Sequence, residues 1–269
     1  MKAKFLQTFL AVVLLGLVLP APVISRGIPE GDLLEGVNPG PDGRIDVLTV
    51  FAHPDDESIY GGGSLIKIKK DPRVRLHILC LGVGDWPDQA RELGIDSSQL
   101  VKIRASELRN AAEVLGAEQV IQWTYRDGSF SSQDPEKLTK DIVGVIELVG
   151  AEIVITHDPA GITRNPDHLT CSRVATKAFE RSDAQRLYYP TLPTPLYKAA
   201  MFFMRDEWEG EPVEPAKPSF DVDIREEKDM KRMACYAHAS QMFYSDVGPA
   251  VKLLLLFPKE YWTPAREKD

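Results

Sequence analysis

Residues 48–64 read L-T-V-F-A-H-P-D-D-E-S-I-Y-G-G-G-S, an apolar run that stops on His53-Pro54 and then meets three acids, Asp55, Asp56 and Glu57. Residues 46–52 are rich in Val, Leu and Phe and flanked by charge, the pattern of a buried strand in a parallel sheet, and residues 59–70 continue as a helix. His53 and the acids therefore stand at a strand's carboxyl end, the edge where open α/β sheets bind ligands. An unpaired buried carboxylate is costly unless it protonates, so the cluster needs a partner. A divalent metal ion meets that need. His53 and Asp56 offer an imidazole and a carboxylate, as in open catalytic zinc sites, and Asp55 between them stays free for proton transfer. The plainer alternative is a helix N-terminus whose dipole the acids face.

Outward from this stretch, residues 74–81, 119–125 and 152–156 are further strand candidates. Residues 100–115 and 134–149 have helical spacing between them, with Gly116 as C-cap, Asp134 as N-cap and Pro135 at the first helical position. Residues 82–98 form a loop and a polar excursion. The alternation predicts an α/β fold: a Rossmann-like, doubly wound, mostly parallel sheet with helices on both faces and a metal site at the carboxyl edge of the strands. The fourth strand delivers a second charged cluster, T-H-D-P-A-G-I-T-R-N-P-D-H-L-T over residues 156–170. Here the strand ends on His157-Asp158, and Asn165-Pro166-Asp167-His168 opens a helix that runs to about Glu180. Asn165 suits an N-cap with Pro166 at N1, and His168 on the first turn points back towards the sheet edge as a third metal ligand. Asp127, in the turn after the third strand, reaches the same edge, although Asp-Gly is ordinary turn chemistry. Arg104 and Glu107 are i,i+3 neighbours, by themselves a solvated ion pair.

These residues resemble the PIG-L or LmbE-like family of zinc-dependent N-acetylglucosaminyl de-N-acetylases. Ala52-His53-Pro54-Asp55-Asp56-Glu57 reproduces that family's (A/P)-H-P-D-D-E in full. Gly161 to His168 matches its G-x-x-x-H-x-D-H except at Asn165. Weaker signatures are Arg104, Glu107 and Ala111 before Leu115-Gly116, Asp127-Gly128, and the H-x-S-Q of His238-Ala239-Ser240-Gln241. The resemblance implies His53, Asp56 and His168 as ligands of one divalent ion, Zn2+ by family habit, and Asp55 as general base. It also implies Arg104, Asp127 and His238 as substrate contacts and Glu57 as a support that orients a ligand. Where this chain has Asn165 the family has a histidine; the Asn amide can donate a hydrogen bond to an oxyanion but cannot titrate near neutral pH, and Asp167 is expected to orient a ring at that position. The expected activity is removal of an N-acetyl group from an N-acetylglucosamine-type conjugate. An impaired sugar-binding module of the same fold, or a zinc amidase acting on a non-sugar N-acyl substrate, are the alternatives.

The 269 residues, 43% hydrophobic and 27% charged, describe an ordinary globular chain, and the net charge of −8 without a basic run argues against a nucleic-acid partner. A small N-acetyl amino-sugar conjugate fits better, and the sequence leaves the oligomeric state open. Residues 1–25 carry Lys2 and Lys4, an apolar core over residues 9–19 and a small-residue zone, the pattern of an export signal or, if uncleaved, an N-terminal membrane anchor, so an exported protein is expected. Residues 26–45 form an irregular lead-in to the deacetylase domain over residues 46–245, with a Pro- and Glu-rich insertion near 205–219 and a C-terminal segment over 246–269. Within these, residues 186–189 and 220–224 suggest strands, 226–243 a helix carrying His238, 252–257 an apolar docking run and 266–269 a frayed tail. Cys80, Cys171 and Cys235 show no metal or redox spacing.

Overall fold

The computed structural model describes residues 27–197, 213–245 and 247–267. The expected signal segment over 1–25 and much of the Pro- and Glu-rich insertion lie outside these residues. The strands are β1 (Ile45–Phe51), β2 (Val74–Gly82), β3 (Gln119–Tyr125), β4 (Ile153–Thr156), β5 (Arg186–Thr191), β6 (Phe220–Asp223) and β7 (Lys259–Glu267). They form one sheet in the order β3-β2-β1-β4-β5-β7-β6. The first five are parallel, and β7 runs antiparallel between β5 and β6. The chain builds outward from β1 through β2 to β3, then returns to the other side of β1 for β4 and β5. The reversal opens a crevice beyond the carboxyl ends of β1 and β4.

Helices α1 (Asp56–Ile68), α2 (Pro87–Leu93), α3 (Ser97–Leu115), α4 (Pro135–Val149), α5 (Gly161–Arg164), α6 (Pro166–Glu180), α7 (Lys228–Ala237), α8 (Ala239–Met242) and α9 (Gly248–Leu254) accompany the strands. α1, α3 and α7 pack together, and Leu65, Leu108 and Ala234 join the β1 and β2 residues Val47, Leu76 and Ile78 in one core layer. α4 and α6 cover the other face, where Ile142, Val174 and Phe179 meet Leu48, Val50 and Leu79. Burying β1 on both faces is what its Val-, Leu- and Phe-rich sequence predicts. The helix boundaries follow local chemistry. Asp96 and Gln99 close a capping box on α3, Gly116 ends it at φ 74°, and Asp134 accepts from Glu136 N and Lys137 N at the start of α4.

The structure departs from expectation in four places. The polar excursion holds α2, whose Pro87 sits at N1 and whose Gly94 caps it at φ 70°. The helix expected over 226–243 breaks at His238, with ψ 57°, because Glu107 takes both Ser240 N and Ser240 Oγ at 2.7 Å and fixes the chain just past the break. The docking run expected over 252–257 is partly the end of α9. The expected frayed tail begins within β7, where Arg266 pairs with Leu187. Buried Trp262 of β7 lies against Gly61 of α1, where an added Cβ would come within 2.8 Å of the indole, and its Nε1 donates to Ser64 Oγ at 3.0 Å. Glu260 of β7 accepts from Gly63 N, Ser64 N and Lys231 Nζ, so a buried carboxylate ties β7 to α1 and α7.

Candidate metal centre

The crevice gathers side chains from the ends of several strands. His53 lies just past β1, Asp56 and Glu57 on the first turn of α1, Asp127 past β3, His157 past β4, and Asp167 and His168 on the first turn of α6. His53, Asp56 and His168 each offer a ligand atom, and these atoms lie within 4.8 Å of one another. His53 Nδ1 is 3.1 Å from His168 Nε2, and His168 Nε2 is 3.5 Å from Asp56 Oδ1. A His-Asp-His group of this kind fits a metal site.

The atoms that face away from the centre test the fit. His53 Nε2 stands 3.1 Å from Asp167 Oδ2, and His168 Nδ1 stands 3.0 Å from Gly161 O. Both outer nitrogens therefore donate, which leaves Nδ1 of His53 and Nε2 of His168 as two lone pairs 3.1 Å apart. Such a pair is repulsive unless a cation sits against it. In the metal-free chain a proton takes that place: burial opposes it, but Asp127, Asp167 and Asp56 raise the His53 pKa to about 9. His168 moves the other way, to about 3, lowered chiefly by burial and by its histidine neighbours against the pull of Asp56. Burial also works against ionised Asp56, yet His168, His157 and His53 hold its carboxyl well below the usual range. Asp56 Oδ2 receives His53 N–H at 2.8 Å and lies 3.2 Å from His157 Nε2, so Oδ1 is the oxygen left for a cation.

Asp55 sits beside this group with a side chain only 9% exposed and a backbone φ of 137°, left-handed for a residue with a side chain. Glu57 Oε2 holds that backbone by accepting Asp55 N–H at 3.1 Å, while Glu57 Oε1 accepts from His238 Nε2 and Ser58 Oγ at 2.7 Å. Burial raises the Asp55 pKa to about 7, with Arg104 opposing and Asp56 and Glu57 adding to the rise. Within reach of its carboxylate, Arg104 stands at 3.6 Å.

The expected substrate contacts divide. Asp127 lies at the site, with Oδ1 accepting Gly84 N–H at 3.0 Å and 4.0 Å from His53 Nε2. Trp86, 40% exposed, stands over the neighbouring Gly128. Arg104 is instead 1% exposed and gives its guanidinium to Pro54 O and Gln89 Oε1, so it supports the His-Pro-Asp turn from beneath. His238, equally buried, acts on Glu57 rather than on the open crevice. Asp167 does not orient the side chain at residue 165. Its carboxylate serves His53, Gly128 N and Phe130 N, while Asn165 Oδ1 caps α6 by accepting Asp167 N–H at 2.9 Å.

Two residues escaped the sequence reading. His157 was legible only as a strand end, yet its ring stacks on His168 at 4.0 Å between centroids. Asp85 accepts Asp127 N–H at 2.9 Å and Arg126 Nε at 2.7 Å, fixing the turn that carries Asp127. A polar residue just past each apolar strand was the signal present for both.

The PIG-L family profile, described as GlcNAc-PI de-N-acetylase, matches residues 48–179, which span both charged clusters. A 1D-myo-inositol 2-acetamido-2-deoxy-alpha-D-glucopyranoside deacetylase of Gordonia bronchialis is 30% identical over 246 residues, 75% of this chain and 86% of that protein. Its counterpart in Rhodococcus opacus is 29% identical over 244 residues, 75% of this chain and 83% of that one. Among solved structures, the N,N'-diacetylchitobiose deacetylase of Pyrococcus horikoshii superposes with a TM-score of 0.62 at 21% identity over 90% of each chain. The 4-carboxy-2-hydroxymuconate hydratase GalB of Pseudomonas putida does so at 0.60 and 18% identity, covering 84% of this chain and 98% of that one. The shared fold thus also carries a different reaction. With both histidine and acid clusters inside the matched span and a relative aligned over most of its length, the chain belongs to the PIG-L family.

Proposed function

We propose that this protein is a zinc-dependent de-N-acetylase that hydrolyses the N-acetyl group of an N-acetylglucosamine-type conjugate. The observation that carries this reading is the set of three ligand atoms, His53 Nδ1, Asp56 Oδ1 and His168 Nε2, whose outer atoms are all held by hydrogen bonds. A divalent ion there supplies a Lewis acid that makes water more acidic and polarises an amide carbonyl. Asp55 accepts the proton of the attacking water and returns it to the departing nitrogen. A carboxyl with a pKa near neutrality is suited to both transfers. Arg104 and Glu57 hold Asp55 in place, one at the carboxylate and the other at the backbone. Asp127 and Trp86 at the rim contact the sugar, and Asn165 Nδ2 is the donor for the oxyanion. The relatives' named substrates, 2-acetamido-2-deoxyglucosides of myo-inositol, support an N-acetylated amino-sugar substrate here.

The test is an amine-release assay across N-acetylglucosamine conjugates and simple N-acyl amines, run on zinc-loaded and chelator-treated protein. Release from the sugars that stops on chelation and returns with zinc is the expected result. Turnover of simple N-acyl amines alone would move the substrate class to non-sugar amides, and metal binding without any amine release would leave a binding module.

A further inference from the structure

His157 is fully buried, one residue beyond β4, and the proposed reaction gives it no step. Its Nε2 lies 3.2 Å from Asp56 Oδ2, and its ring lies nearly parallel to that of His168, with 12° between the planes. It therefore touches two of the three residues that would hold the metal, one through a polar atom and one through a ring face. Phe51 packs edge-on at 4.9 Å between centroids and Tyr60 at 5.7 Å, so the imidazole has little room to turn.

The tautomer follows from its surroundings. A bare Nε2 would set a lone pair against the Asp56 carboxylate and would leave the proton on Nδ1, which is buried without a hydrogen-bond partner. Either tautomer leaves one buried N–H without an acceptor here, Nδ1–H in one and the Ala52 N–H aimed at Nε2 in the other, so the Asp56 carboxylate 3.2 Å from Nε2 decides, and the proton belongs on Nε2, facing Asp56 Oδ2. Ala52 N–H, 3.3 Å from the same nitrogen, would donate to it only in the other tautomer. Asp56 Oδ2 consequently receives two donors, His53 N–H and His157 Nε2–H, and both hold it away from a cation.

Resting on the metal-site reading above, we infer that His157 is a positioning residue that fixes Asp56 as a one-oxygen ligand through Oδ1 and braces the His168 ring by stacking. A carboxylate whose second oxygen is occupied favours a compact four-coordinate ion over one that takes both oxygens. Without the His157 donor, Oδ2 is free to swing inward.

The experiment compares wild type, His157→Phe, which keeps the ring face but removes the donor, and His157→Gln, which restores an N–H of similar reach. Zinc affinity is measured by competition with a chromophoric chelator, the visible spectrum is recorded on the cobalt-substituted protein, and the melting temperature is recorded without metal. His157→Phe is expected to weaken zinc binding by ~10–100-fold, the usual effect of losing such an outer partner, with His157→Gln closer to wild type. The cobalt bands should weaken in His157→Phe as Asp56 contributes its second oxygen and coordination rises. Unchanged affinity and spectrum in His157→Phe overturn the inference, as does equal zinc loss in both variants, because restoring the N–H in His157→Gln would then restore nothing. If His157→Phe fails to fold, the Gln variant decides, since a loss of affinity as large as full removal of the site would rule out a donor role. Wild-type protein that takes up no zinc overturns the site reading itself, a result distinct from the variant comparison.

Discussion

The two adjacent carboxylates of the first cluster have different jobs because they have different neighbours. Asp56 is surrounded by His168, His157 and His53, which keep it ionised despite its burial; Asp55 has Arg104 near it and is pushed by burial to about 7. Asp55→Asn is therefore expected to keep zinc and lose turnover by ~10²–10⁴, whereas Asp56→Asn should lose zinc. Metal analysis beside kcat checks this, and equal zinc loss in both would reverse the assignment. Asp167 gives a second case. Its oxygens accept from His53, Gly128 N and Phe130 N, and an Asn amide would have to turn an N–H towards one of these donors. Asp167→Asn should weaken zinc binding ~10–100-fold while leaving Asp55 intact, so kcat at saturating zinc falls much less than affinity. The three residues that could hold a metal were legible in the sequence because a histidine and acids set directly after an apolar run are costly to bury unless a cation receives them. The partner of Asp167 was not, because the turn at residues 127–130 reaches it from a different strand, nearly forty positions away in the chain.

Among the elements, α6 starts where Asn165 and Pro166 predict, and Asn165 Oδ1 caps it. The cap and the proposed oxyanion donor use different atoms of one side chain, so they can be separated. Asn165→Ser keeps a capping oxygen and should hold the melting temperature while reducing kcat, whereas Asn165→Ala should also cost about 1 kcal/mol of stability. A Ser variant with full kcat would leave Asn165 as a cap only. β7 shows the opposite case, an element that local sequence could not locate. Pro264 lies within it, opposite Tyr188 beside a register shift, and proline in an apolar run argues against an interior strand. Its place is set by distant contacts: Trp262 fits over Gly61, and Ile224, just beyond β6, fits against Gly63 so closely that an added Cβ would lie 2.7 Å from it. Gly63→Ala is expected to cost ~1–3 kcal/mol, read by denaturant unfolding, and a neutral result would mean that α1 can shift on the sheet without loss.

At the scale of the whole molecule, the alternation of strands and helices was readable because each parallel strand announces itself by an apolar run and each crossover helix by its spacing and caps. The reversal between β1 and β4 is what brings residues 53–57 and 165–168 together, and strand order is carried by long-range pairing that no local pattern contains. Since the same fold also serves a hydratase, the reaction has to come from the side chains in the crevice. Those side chains also link metal, protons and stability. In the metal-free chain His53 has a pKa near 9, above its ordinary value of 6.5, so its proton stabilises the fold fully below pH 6.5 and this contribution is lost as pH rises through 9. Asp55, raised from 3.8 to about 7, acts in the same direction: the folded chain resists its ionisation, so stability falls as pH rises from about 4 through 7. On the proposed reading, a bound zinc ion would replace the His53 proton and supply the cation that the paired nitrogens require. Zinc uptake near neutral pH should therefore release close to one proton from His53, falling towards none above pH 9 to 10, and zinc affinity should climb with pH over the same window. The gap in melting temperature between zinc-loaded and chelator-treated protein should widen from pH 6 to pH 9 at fixed free zinc, because the metal-free form weakens while the loaded form no longer depends on that proton. Calorimetry in buffers of different ionisation enthalpy counts the protons. A count that stays at zero at pH 7, with parallel melting curves, would mean that His53 and zinc do not compete and that Nδ1 of His53 is not a ligand.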